Sequence, residues 1–95
     1  MLHFEWDSLK SSTNKKKHEI SFEEAKTVFL DPNARIIRDP DHSDREEHFV
    51  ILGLSERLRI LVVCHCYRKG DSVIRIISAR KAQKHERENY KGHLP

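Results

Sequence analysis

Ninety-five residues and 11.3 kDa amount to one domain of chain, which excludes a multidomain enzyme built around a large cofactor fold. Apolar residues make up 37% and charged residues 35%, a lean supply for a core, yet the apolar ones cluster enough to build a small one. Eighteen Lys and Arg against fifteen Asp and Glu leave a net charge of +3 and a pI near 9.0, a mild mean over an uneven distribution. No apolar run approaches the roughly 20 residues of a membrane span. The stretch Met1-Leu2-His3-Phe4-Glu5-Trp6-Asp7 has neither the basic nor the apolar region of a signal peptide, so a cytoplasmic protein with no membrane partner is expected. Cys64 and Cys66 are separated by one residue, and a bridge between them would be badly strained, which fits a reducing compartment.

Along the chain, Leu2-His3-Phe4-Glu5-Trp6 alternates weakly and predicts a short strand. Asp7 fits a helix N-cap, its carboxylate accepting from the amides of the next turn. A polar helix over residues 8–17 follows, ending in Lys15-Lys16-Lys17, where the helix dipole favours cations. Ser21-Phe22-Glu23-Glu24 is a capping box: Ser21 accepts from the third amide of the new helix, and Glu24 reaches back to the amide of Ser21. Ile20, Phe22, Ala25 and Phe29 supply its packing stripe with Val28 close by, and Asp31-Pro32 stops it.

Residues 33–38 predict a strand around Ile36 and Ile37. Residues 39–48 hold five acids, one arginine and nothing apolar, and read as a solvated loop. Phe49 to Leu54 is a strand by β-branching and length, Ser55-Glu56-Arg57 a turn, and Arg59 to Tyr67, the longest apolar run, a central strand. A hairpin loop over residues 68–72 leads to a strand from Val73 to Ser78. The tail from Ala79 to Lys91 is rich in charge and helix formers, and Gly92 suits its end. This order predicts a single α+β domain over residues 1–95. Its antiparallel sheet has two N-terminal helices and a C-terminal helix, packed on one face, and leaves the other free for polar groups.

Charge is concentrated. Residues 68–95 carry eight Lys and Arg against three acids, while residues 39–48 are net negative by four. The basic end would attract a polyanion, and the acidic loop would repel one or meet a basic partner. Ordinary solvated helix surface is the better account of Lys84, Arg87 and Lys91. Arg75 differs, since a charge among Ile74, Ile76 and Ile77 needs solvent or a counter-ion. If the hairpin pairs Tyr67 with Val73, then His65 faces Arg75 across the two strands, with Val62, Cys64, Ile74 and Ile76 forming the core face. Arg80 and Lys81 follow at the strand end, and the next helix adds Glu86 and Tyr90. Such a set suits metal-free phosphodiester cleavage: His65 or Glu86 takes the proton of a ribose 2′-OH, and arginines stabilise the phosphorane charge. In the competing reading Arg75 and Arg80 are salt-bridged to Glu47 or Glu86, and His65 merely caps a strand.

Other chemistry is weakly signalled. Cys64-His65-Cys66 alternates across a strand and lacks a second ligand pair, so no metal and no cofactor is expected. There is no phosphate-binding glycine loop, nucleophile elbow or H-E-x-x-H. Lys17-His18 reads as a helix-terminal cation pair or as a border of the site.

A series of short pieces runs almost from end to end. It comprises Phe4-Glu5-Trp6-Asp7, Asn14 with Lys17-His18, Ser21-Phe22-Glu23-Glu24-Ala25, Val28-Phe29 and Asp31. It continues through Asp39 to Glu47, Gly53-Leu54-Ser55, Ile74-Arg75-Ile76-Ile77-Ser78-Ala79-Arg80, and Ala82, Glu86 and Tyr90. In this order they resemble the BrnT toxins, the toxin half of the bacterial BrnT/BrnA type II toxin–antitoxin family. The resemblance implies a RelE-like fold and a ribonuclease that blocks translation. It also implies neutralisation by a DNA-binding BrnA-type antitoxin, in a heterotetramer that reaches operator DNA through the antitoxin. Carried onto this chain, the pattern gives Arg80 at the strand end and Glu86 and Tyr90 on the following helix. Arg75 and His65 rest on the hairpin register instead, and Lys81, Lys17, His18 and Tyr90 are the residues expected to hold RNA. Glu19 departs from the glycine usual after Lys17-His18; if that turn needs a positive φ, it costs about 1 kcal/mol. Two functions follow: a metal-independent endoribonuclease, or a decayed toxin serving as a non-catalytic basic module that binds RNA or the antitoxin.

Overall fold

The computed structural model describes residues 2–38, 47–92 and 94–95. The acidic loop read over residues 39–48 therefore falls largely outside the described residues.

His3–Glu5 form strand β1. Asp7 then caps helix α1 (Ser8–His18), its Oδ1 accepting from the amides of Leu9 at 2.8 Å and Lys10 at 3.0 Å. Lys15, Lys16, Lys17 and His18 fill the last turn. Glu19 ends the helix in the left-handed region at φ 61°, its amide donating to the Lys15 carbonyl, so the turn does require a positive φ. Helix α2 (Phe22–Ala25) continues as a 3₁₀ turn over Lys26–Leu30. The Ser21 hydroxyl accepts from the Glu24 amide at 3.1 Å, but the reciprocal half of the capping box is not made. Glu24 is buried, and its carboxylate turns inward to the Ser55 hydroxyl at 2.7 Å and the Arg59 guanidinium. A buried carboxylate takes the strongest donors within reach, and a guanidinium outbids one backbone amide.

The remaining elements are β2 (Arg35–Arg38), β3 (Phe49–Leu54), β4 (Ile60–Arg68), β5 (Val73–Lys81) and helix α3 (Lys84–Gly92). They build a five-stranded sheet in the order β1-β5-β4-β3-β2. The pairs β2–β3, β3–β4 and β4–β5 are antiparallel as expected, whereas β1 runs parallel to β5, which the long connection between them permits. Strand β5 continues past Ser78 because Ala79 pairs with Val63 and Lys81 with Leu61. Tertiary pairing there overrides local helix propensity.

The hairpin register corrects the sequence reading. Tyr67 pairs with Ile74, not Val73, because Arg68 closes the hairpin on Val73; this sets Cys66 opposite Arg75 and His65 opposite Ile76, and an irregularity follows between His65 and Cys64. A slip of one residue exchanges the faces. Val63 and His65 thus point into the core with Leu61, Ile51 and Ile76, under Ile20, Phe22, Ala25 and Val28 of the first helices. Ile74 is buried as expected; Cys64 is only half-buried and lies on the other face with Val62. Gly53 marks the closest approach of this layer, since a Cβ there would meet the Ala34 Cβ at 3.0 Å.

The helices cover both faces of the sheet. Helix α3 lies against the second face, where Val50, Leu52 and Val62 meet His85, Glu86 and Asn89 across a groove. Among the described residues no helix is long and apolar enough to cross a membrane.

Candidate active site

The end of β5 builds the first element of the site. The Ala82 amide donates to the Ile60 carbonyl at 2.9 Å, holding the chain as it leaves the sheet. Arg80, opposite Val62, therefore projects from the second face. Helix α3 starts just beyond, and Glu86 in its first turn accepts from the Gln83 amide at 2.8 Å. That contact turns Glu86 onto Arg80, whose two terminal nitrogens donate to the two carboxylate oxygens at 2.7 and 2.9 Å. The result is a bidentate fork, the strongest geometry open to this pair. Arg80 holds the Glu86 carboxyl below its ordinary range against the opposing effect of burial. Reciprocally, Glu86 raises the guanidinium further while burial opposes it. The Arg80 side chain is still 40% exposed, so an anion can approach its outer side.

Further cations gather at this end. Asn14 is buried in α1, and its side-chain amide donates to the carbonyls of Ile20 and Ala79, each at 2.9 Å, and accepts from the Ala79 amide at 3.1 Å. It pairs with the main chain of β5 as a neighbouring strand would, one residue before Arg80. This ties α1 to the end of β5; the last turn of α1 carries the exposed Lys17 and the half-buried His18, and Lys81 at the strand end is exposed. The turn before β4 adds Arg57 and Arg59. Arg59 donates to Glu24 and to the Glu19 carbonyl, tying the β3–β4 turn to the corner after α1. Burial opposes ionisation of Glu24, but Arg59 and Ser55 outweigh it and hold the carboxyl low.

Three residues expected in one cluster lie elsewhere. Arg75 shares the second face with Arg80 but donates to Glu5 at 2.8 Å, and Arg68 also approaches Glu5 at 3.6 Å. His65 is fully buried on the opposite face, so the predicted juxtaposition of His65 with Arg75 does not form. Its Nδ1 lies 3.2 Å from the Val63 carbonyl and its Nε2 3.3 Å from the Tyr67 hydroxyl. The ring packs edge-on against Phe29 and Tyr67, and burial pushes its pKa down. Tyr90 is buried as well, its hydroxyl donating to Asp31 at 2.6 Å. Burial and the Asp31 carboxylate push that phenol up to about 12. Asp31 also accepts from the Leu54 amide at 2.8 Å, so this contact docks α3 on the sheet.

Sequence reasoning did not anticipate the anchoring by Asn14, the Glu24–Arg59 pair or the role of Glu5. One signal was present for Asn14: a short amide is a poor choice inside a helix unless its side chain has another partner. Among the described residues, no three His, Cys, Asp or Glu side chains converge as a metal site.

Residues 6–86 match the family described as "Ribonuclease toxin, BrnT, of type II toxin-antitoxin system". The chain belongs to the BrnT family. The crystal structure of the Brucella abortus ribonuclease toxin BrnT matches over 88% of this chain and 99% of that one, with a TM-score of 0.64 and 24% identity. That likeness is one of fold. No curated protein matches.

Proposed function

We propose that this BrnT chain is a metal-independent endoribonuclease toxin that halts translation by cleaving RNA at the cationic end of β5. The observation that carries the reading is the Arg80–Glu86 fork, half open to solvent and next in sequence to the exposed Lys81. A ribose 2′-OH attacks the adjacent phosphorus, its proton passes to a base, and the 5′ oxygen leaves with a proton. In this reading the base is Glu86, which is ionised at neutral pH and leaves its bond to Arg80 to accept the proton. Arg80 stabilises the charge that builds on the phosphorane oxygens. Lys81, Lys17 and His18 hold the flanking phosphates, a sequence-independent attraction that weakens with salt. Arg75 and Tyr90 support this reading through the fold, and His65 through the packing of the aromatic core.

A BrnA-type antitoxin neutralises the toxin in a heterotetramer, and operator DNA is reached through that partner. The engagement of Arg80 and Arg75 by glutamates favours a second reading, a basic module that binds RNA without cutting it. Incubation of the purified chain with RNA in EDTA decides between them. Cleavage products support the enzyme, while steeply salt-dependent binding with intact RNA supports the module.

A further inference from the structure

The groove on the second face borders the proposed cleavage site at Glu86 and runs from there out to the sheet edge. Ile37, Val50, Leu52 and Val62 form its floor, Glu86 and Asn89 of α3 its wall, and its volume is ≈ 240 Å³. Its outer border is β2, the terminal strand of the sheet, and among the described residues no strand pairs with the outer edge of β2. Open edges are usually blunted by proline, by charge or by a bulge. Here two isoleucines sit in mid-strand, Ile36 at 49% and Ile37 at 55% exposure, and Ile37 continues the groove floor. The rim is cationic. Arg35 is held to Asn89 at 3.0 Å, His85 lines the α3 side, and Arg80 stands beside Val62 at the inner end. Among the described lining residues Glu86 is the one carboxylate, and it is already committed to Arg80.

Two features select the occupant. A second copy pairing antiparallel through Arg35-Ile36-Ile37-Arg38 would set arginine opposite arginine at both ends, and like charges directly opposed are destabilising. Nucleic acid supplies no aliphatic side chains for the floor. An extended protein segment with apolar residues between Asp or Glu satisfies the edge, the floor and the rim together. We propose that the antitoxin of this toxin adds such a segment to β2 as a sixth strand, its apolar side chains in the groove and its acidic flank at Arg35 and Arg80. Seated there, the segment denies Arg80 to a phosphate. The inference rests on reading the chain as a neutralised toxin.

The test uses the full-length toxin and its antitoxin, purified as their complex after co-expression and then separated. Ile37→Asp should weaken antitoxin binding at least about tenfold by calorimetry, and Ile37→Asn by less, because only the former adds repulsion to the lost apolar contact. Both variants should cleave RNA as the unaltered protein does. In the unaltered complex, amide exchange over residues 35–38 should slow at least about tenfold relative to free toxin. Unchanged affinity in Ile37→Asp together with unchanged exchange over residues 35–38 overturns the proposal. Loss of self-association in Ile37→Asp on size exclusion also overturns it, by making the groove an interface between copies. A chain that leaves RNA intact while Ile37→Asp still loses the antitoxin would sink the ribonuclease reading and leave the docking site standing.

Discussion

Arg75 and Arg80 lie on one strand and one face of one sheet, and each meets a glutamate, yet the two pairs are built differently. Glu5 comes from β1, seventy residues away, and is carried to Arg75 by the parallel pairing of β1 with β5. Its contact with Arg75 is through a single nitrogen, and Arg68 shares the same carboxylate oxygen. Glu86 comes from the next helix, six residues away, engages Arg80 through both nitrogens, and is itself oriented by the Gln83 amide. One pair bolts a terminal strand to the sheet. The other holds a half-exposed guanidinium in a fixed orientation, as a charge-stabilising site requires.

The largest effect separates the two directly. Arg80→Ala should lower RNA cleavage by about 10²–10³, with the circular dichroism spectrum retained and a loss of only about 1 kcal/mol in stability from the broken ion pair. Arg75→Ala should leave cleavage within about threefold and cost about 0.5–1 kcal/mol in denaturant unfolding, the range of an exposed ion pair. Equal losses of cleavage in both variants would erase the distinction.

Each end of β5 also has its own fastening: β1 at Arg75 and the Asn14 amide at Ala79. Asn14→Ala strands the Ala79 main chain and should cost about 2–4 kcal/mol in urea unfolding, because buried backbone groups lose their partners. A cost below about 0.5 kcal/mol would mean that water replaces the amide freely.

Acid titration sharpens the contrast from the side of Glu86. Its folded pKa lies below the ordinary 4.5, so its contribution to stability is complete above that value and is lost as the pH falls through the folded pKa. Melting temperature measured from pH 6 downwards should therefore fall on the acid side, and Glu86→Gln should flatten the slope. Glu24 and Asp31, both held low against burial by their donors, contribute in the same direction and keep some slope in that variant. The smallest effect is at the corner after α1. Glu19→Gly should stabilise the fold by roughly 0.5–1 kcal/mol, read as a rise in melting temperature, because glycine meets no Cβ penalty at φ 61°.

Much of this molecule was legible residue by residue. The Asp7 and Ser21 caps, the stop at Pro32, the strands around Phe49 and Leu61 and the end of α3 at Gly92 all stand where short-range chemistry put them. The Arg80–Glu86 contact, spanning six residues, was one of two pairings that the spacing left open. His65 shows where such reading stopped. Alternation along β4 is plain in the sequence, but which set of alternating side chains turns inward depends on the register with β5, and closing the hairpin at Arg68 and Val73 shifts it by one.

By itself, then, the sequence determined the inventory: an α+β chain, the order of its elements, the basic concentration toward its end, and the family pattern spread along it. Only the tertiary structure decided the parallel placement of β1, the burial of His65, the seating of α3 on the second face and the partners of Glu5, Glu24 and Asn14. Caps, turns and periodicity act over a few residues and are written locally. Register and ion-pair choice depend on distant segments competing for the same donors and the same buried volume.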